Sequence, residues 1–212
     1  MFPDKSFAQL PSQFLLFGLL LYISLELITT TLLTYGQDFS VTQQTVVLCL
    51  RLVELIGFML LIWKCQVHES LGLSKPNQAA WIVFFKVSAL CLLVVGLLYV
   101  VHPPLFAYVQ LPTWLYGMMG LLLMVILAPI VEEIIFRGLL YRMLRERWGV
   151  WVSVLVSAAF FSLVHHGLLL SPQLIGGIIF ALAYEWSRSL WVAIGLHMGA
   201  NAAVYMLSVL NV

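Results

Sequence analysis

The chain has 212 residues, of which 63% are hydrophobic and only 9% charged, with a formal net charge of +1 and a mean hydropathy of +1.05. Polar side chains are too few to clothe a water-soluble globule of this size, which excludes that class. The near-neutral charge and the lack of a basic arm give no reason to expect a nucleic-acid partner.

A membrane-spanning helix needs about 20 mostly apolar residues, and about seven stretches meet that requirement. In chain order they are approximately Gln13 to Tyr35, Thr45 to Trp63, Ala79 to Val101, Trp114 to Gly138, Val150 to Leu170, Pro172 to Trp186 and Leu190 to Leu210. The first has no small-residue cleavage site after a short apolar core, so it is expected to be a retained helix. The fourth is expected to run on past the membrane through Arg147. The sixth is short and carries Gly176 and Gly177, which suggests a broken or tilted segment. The predicted fold is all-α, a polytopic transmembrane bundle of about seven spans.

Orientation follows from the basic residues between spans. Lys5, Lys64, Lys75, Arg142, Arg145, Arg147 and Arg188 fall on one side, whereas the loops 36–44 and 102–113 and Ser171 carry none, so the N-terminus is expected in the cytoplasm. No internal repeat or linker is visible. The expectation is one membrane domain, 1–212, with accessory helices in 1–113 and a catalytic core in 114–212. Cys49, Cys65 and Cys91 are isolated and form no CxxC pair, so they read as small apolar side chains.

The most informative segment is Glu132-Glu133-Ile134-Ile135-Phe136-Arg137, which follows an almost unbroken apolar run from Leu121 to Val131. Charge at bilayer depth is costly, by a few kcal/mol per group on insertion scales, so adjacent carboxylates there imply a water-lined site. Residues four apart share a helix face, so Glu133 can pair with Arg137 while Glu132 points elsewhere. Pro129 removes a backbone donor and is expected to kink the helix before Glu132. Further on, Phe161 and His165 are four apart, as are His197 and Asn201. Glu132 and His165 are suited to deprotonating and positioning a water. His197 and Asn201 are suited to donating hydrogen bonds to the oxyanion formed when a peptide carbonyl is attacked. Gly195 and Gly199 beside His197 would admit a neighbouring backbone.

The three motifs in this order, EExxxR, FxxxH and HxxxN, resemble those of the CAAX-prenyl protease and bacteriocin-processing family of glutamic intramembrane proteases, over about Leu121 to Tyr205. That resemblance implies an endopeptidase in which Glu132 and His165 activate water, His197 and Asn201 form the oxyanion hole, and Glu133, Arg137 and Phe161 brace the site. No cofactor or metal is implied. The expected partners are membrane lipid and a membrane-anchored peptide or protein substrate. The expected location is a prokaryotic inner membrane, with the site opening toward the cytoplasmic leaflet.

Other chemistries fit less well. An aspartyl protease needs two buried aspartates, but Asp4 and Asp38 lie outside the spans. HExxH is absent, since His68-Glu69 lacks its second His. A zinc site built from Glu132, His165 and His197 remains an alternative, as does a nonproteolytic transporter or immunity protein. His166 competes with His165 as the active imidazole. Arg51 with Glu54, Glu26 and Lys86 read as structural ion pairs or snorkelling charges.

Overall fold

The computed structural model describes residues 7–35, 43–107, 109–165 and 171–210, and among these every regular element is helical. Helices α1 (Ser12–Tyr35), α2 (Gln43–Cys65) and α3 (Gln78–Val101) come first, followed by a single turn, α4 (Pro104–Ala107). A continuous helical run then passes through α5 (Met118–Leu121), a π-helical segment (Leu122–Leu127), α6 (Ala128–Glu133), a second π segment (Ile134–Tyr141) and α7 (Arg142–Val164). α8 (Pro172–Ser187) and α9 (Leu190–Leu210) complete the bundle.

The centre of the bundle is α6 and the second π segment, where every residue from Val131 to Leu139 is buried. A helix apolar on all sides can be satisfied only by neighbours all round, and α1, α2, α7, α8 and α9 surround it. Lipid replaces protein on the outside. Leu16, Leu20, Ile23 and Leu27 on α1, and Leu93, Leu97 and Val100 on α3, are exposed apolar side chains that water would not tolerate.

Among the described residues five helices are long and apolar enough to cross a membrane, against about seven expected from sequence. Two of the expected spans lie in one run, Met118–Val164, which changes direction at Gly149 (φ 74°, ψ −176°). α8, at 16 residues, falls short on length alone. Nor is α8 broken at its glycines. Gly177 instead permits close packing, because a Cβ there would sit 3.0 Å from the Ala158 Cα on α7. Gly195 likewise faces the Phe84 ring of α3, whereas Gly199 faces open space.

The bundle has two chemically distinct ends. At one, buried Glu185 accepts from Tyr141 (2.6 Å), Arg145 (3.2 Å) and Arg188 (2.9 Å), and Leu190 donates to Gly72 O. Arg142 reaches Ser70 O and Ala8 O, and Phe7 lies under the Arg142 and Arg188 guanidiniums at 4.3 and 3.9 Å. Arginines assigned to one side by sequence thus gather at one end, while Lys5, assigned with them, lies outside the described residues. The opposite end has uncharged fastenings. Tyr205 OH bonds Gly117 N and O, Ser208 Oγ bonds Leu111 N and Tyr116 OH, and Gln44 bonds Trp114 O and Tyr116 O. Gly120 lets residues 111–115 fold over the start of α5, since a Cβ there would overlap the Leu115 carbonyl.

Candidate active site

Gly149 brings the first two site residues together. Glu132 precedes it by 17 positions and His165 follows it by 16, so the two arms of the hairpin, each about 25 Å long, end at one level. Phe136 and Phe161, 13 before and 12 after, confirm the register with an edge-to-face contact at 5.1 Å. His165 caps α7 (φ −93°, ψ 17°), just past its last helical residue, and its Nδ1 bonds the Phe161 carbonyl at 2.8 Å. Because a carbonyl only accepts, Nδ1 carries the proton, and in the neutral ring Nε2 is an acceptor. That Nε2 stands 3.6 Å from Glu132 Oε2.

His197 arrives from α9 on the other side. Its Nδ1 lies 2.8 Å from Glu133 Oε1, the same oxygen that accepts from Arg137 Nη1 at 2.8 Å. Arg137 Nη2 also donates to Gly177 O at 2.9 Å, so the close α7–α8 packing delivers a backbone acceptor to the guanidinium. The group is fully buried, with Arg137 and Glu133 both at 0% exposure. Such a charge pair is tolerable only when paired and hydrogen-bonded, as here. Phe180 stacks on the His197 ring at 4.8 Å and 21°, and Phe161 meets it edge-on at 5.4 Å. Arg137 also lies 4.9 Å from the Phe161 ring centre. His197 Nε2 is thereby aimed at Glu132 Oε2, 3.7 Å away.

Glu132 Oε2 is consequently buried, without a hydrogen-bond partner, and faced by two imidazole Nε2 atoms beyond direct bonding distance. The Glu132 carboxylate and the His165 Nε2 acceptor converge there and require a donor placed between them. A water molecule or a polar substrate group fits that demand. Among the described residues no group of three or more His, Cys, Asp or Glu is arranged to hold a metal ion.

Asn201 sits one turn beyond His197 and donates from Nδ2 to Met124 O at 2.8 Å. The π register explains this. Ala128 N–H already bonds Leu123 O, five residues back, and the next donor in that register is Pro129, which has no N–H. Met124 O is left over and Asn201 takes it. The π register just before Pro129 is thus where its missing donor is accommodated.

Glu132, His165, His197 and Asn201 all line one cavity of about 490 Å³, together with Arg51, Gln173 and a mostly apolar wall including Trp114, Leu123, Met124 and Phe180. The cavity runs from Glu132 toward the uncharged end of the bundle, under residues 111–115. The cavity thus lies on the side of Glu132 away from the charged end of the bundle. His166, the competing imidazole, lies outside the described residues.

Arg51 was read from sequence as structural, and its lining of the cavity was missed. Its place in an apolar span was the available signal. Its partners are Glu54 (2.5 Å) and Glu26 (2.7 Å), so Glu26 pairs with Arg51 across α1 and α2, while Lys86 is exposed on α3. The Phe180 platform had no signal, being one aromatic among many in an apolar helix.

An all-helical multi-pass membrane protein with a buried Glu–His cluster is the class that fold and site define. Residues 112–203 match the family model described as type II CAAX prenyl endopeptidase Rce1-like. The chain is similar to the membrane-embedded CAAX protease MroQ of Staphylococcus aureus (strain USA300), with 34% identity over 93 residues, 41% of this chain and 38% of that protein. It is similar to YdiL of Bacillus subtilis (strain 168), a candidate membrane peptidase by name, at 34% over 86 residues, 39% of this chain and 34% of YdiL. A 24.3 kDa Escherichia coli protein is 33% identical over 87 residues, 38% of this chain and 40% of that one. The matches therefore span about a third to two-fifths of these relatives. No solved structure matches the chain.

Proposed function

We propose that the protein is an intramembrane endopeptidase that hydrolyses a peptide bond near the terminus of a membrane-attached protein or peptide, using Glu132 and His165 to activate water. The observation that carries this reading is the buried, unpartnered Glu132 Oε2 with His165 Nε2 and His197 Nε2 at 3.6 and 3.7 Å. A water held there gives one proton to Glu132, and its oxygen adds to the carbonyl carbon. The oxyanion is met by the second Asn201 amide N–H and by His197, which carries a proton on Nε2 while Glu133 accepts from Nδ1. Collapse breaks the C–N bond, and the proton taken by Glu132 leaves on the amine with His165 as relay. The carboxylate is restored, and each turnover consumes one water.

Residues 114–212 supply this machinery and residues 1–113 act as accessory helices, with Arg51 the exception that enters the cavity. The basic end of the bundle faces the cytoplasm, as does the N-terminus. The cavity then addresses the outer half of the bilayer. The substrate is a membrane-held segment, with a lipidated C-terminus suggested by the family name and a bacteriocin-type precursor by the motif resemblance.

The test compares wild type with Glu132→Ala in detergent on a quenched library of membrane-anchored peptides, with and without a zinc chelator. Loss of cleavage in Glu132→Ala with persistence under chelation is the expected result. Loss on chelation would move the reading to a zinc protease, and equal activity of the two proteins would remove Glu132 from the mechanism.

A further inference from the structure

His197 is tied to the protein through Nδ1, which lies 2.8 Å from Glu133 Oε1. Such a bond fixes the position of Nδ1 but leaves the ring plane loosely set, because the terminal torsion of a histidine is broad. The plane matters, since Nε2 serves the site only while it points at Glu132 Oε2, 3.7 Å away. Two aromatic rings set it. Phe161 meets the imidazole edge-on at 5.4 Å and 80°, and Phe180 lies flat against it at 4.8 Å and 21°. Phe161 belongs to the FxxxH pair, whereas Phe180 comes from α8 and stands outside all three motifs.

The Phe180 ring is also a partition. Phe180, His197 and Glu132 line the cavity, while Glu133 and Arg137 are absent from its lining and wholly buried. The Arg137 guanidinium carbon lies 5.4 Å from the centre of the Phe180 ring. The ring therefore has the cavity on one side and the Glu133–Arg137–His197 group on the other. Charges held in a low-dielectric interior interact strongly only while water is kept from them. Gly176, one turn earlier on α8, leaves the ring its place, since a Cβ there would already touch two ring carbons at 3.4 and 3.5 Å.

On the peptidase reading above, we propose that Phe180 is a positioning residue for the reaction: its ring face sets the plane of His197, holding Nε2 toward Glu132 and the oxyanion, and it keeps cavity water from the Glu133–Arg137 pair. Phe180 touches no reacting atom and acts through His197 alone. Its loss therefore lowers kcat and leaves KM little changed, the pattern of an interaction realised in the transition state.

Two measurements separate this inference from the reading on which it rests. The first is cleavage of one quenched, membrane-anchored peptide by wild type, Phe180→Leu and Phe180→Tyr, per folded molecule and below every melting temperature. Phe180→Leu stays apolar but loses the flat face, and its kcat is expected to fall by about tenfold or more with KM within about twofold, as misplacement of a reacting group does. Phe180→Tyr keeps the face and should stay within about threefold of wild type. The second measurement needs no turnover. In protein carrying isotope-labelled histidine, the Nδ1 proton that His197 shares with Glu133 is recognised by its loss in His197→Gln, and its exchange with water is followed. Exchange should be faster by about tenfold or more in Phe180→Leu and close to wild type in Phe180→Tyr.

A Phe180→Leu kcat within about twofold of wild type would overturn the positioning role, as would an equal loss in Phe180→Tyr. If Phe180→Leu fails to fold, Phe180→Met, equally apolar and without a flat face, is read by the same criteria. If wild type cleaves no peptide, the exchange decides: faster exchange in Phe180→Leu alone keeps the hold of Phe180 on His197 and sinks the peptidase, and equal exchange in all three proteins overturns that hold.

Discussion

Asn201 donates to the carbonyl of Met124, which the missing N–H of Pro129 leaves without a donor inside the helix. One side chain therefore serves two masters, closing a gap in the central helix and presenting its second N–H to the cavity.

These duties can be pulled apart. Asn201→Ala should lower stability by about 1 kcal/mol, since a half-buried carbonyl loses its donor. It should also reduce kcat by about 100-fold or more, as loss of an oxyanion donor does. Pro129→Ala restores a backbone donor in register with Met124 O. In the double variant the melting temperature should recover while kcat does not. Recovery of both would show that Asn201 acts on activity only through the fold.

The shared oxygen of Glu133 leads to a second expectation. Arg137→Ala leaves a buried carboxylate with His197 as its sole partner and strips a donor from Gly177 O. Breaking such a pair costs about 3–5 kcal/mol. Arg137→Lys keeps the charge but loses the fork that spans Glu133 and Gly177, so it should rescue only part of that loss. Thermal unfolding in a fixed detergent measures both.

Gly149 has φ 74° and open space around its missing side chain, so conformation alone resists substitution there. Gly149→Ala and Gly149→Asn should each destabilise by about 1–3 kcal/mol, because φ 74° with ψ −176° lies outside the αL well that Asn tolerates. Activity per folded molecule should change little in either. Inserting one alanine after Trp151 is different. It shifts His165 by about 1.5 Å and 100° against Glu132, and misplacement on that scale is expected to reduce turnover by about 100-fold or more.

Glu132, Glu133, Arg137, Phe161, His165, His197 and Asn201 were legible as candidates because polar groups stand out in apolar helices and spacings of four mark a face. The helical class was legible from composition. The number of crossings was less so, since a single positive-φ glycine joins two spans into one run and nothing in a hydropathy trace records a change of direction. Glu132 and His165 meet because the hairpin arms on either side of Gly149 are equal in length, which hydropathy does not display. The π segments were hidden as well. A helix with one more residue per turn has the same composition, and only Pro129 marked the place where its donors would run short. Arg51 was visible as a charge but not as a cavity wall, because the helix packing that turns it inward is a tertiary fact.

The fastening of Gln44 to the Trp114 and Tyr116 carbonyls sets α2 in register with the central helix, which runs parallel to it from Gly117. Counting down both helices from that tie places Arg51 above Glu132 by about 10 Å. The tie thus fixes how far along the cavity the Arg51 guanidinium stands from the Glu132 carboxylate, and lengthening α2 by one turn above Arg51 would change that spacing by about 5 Å.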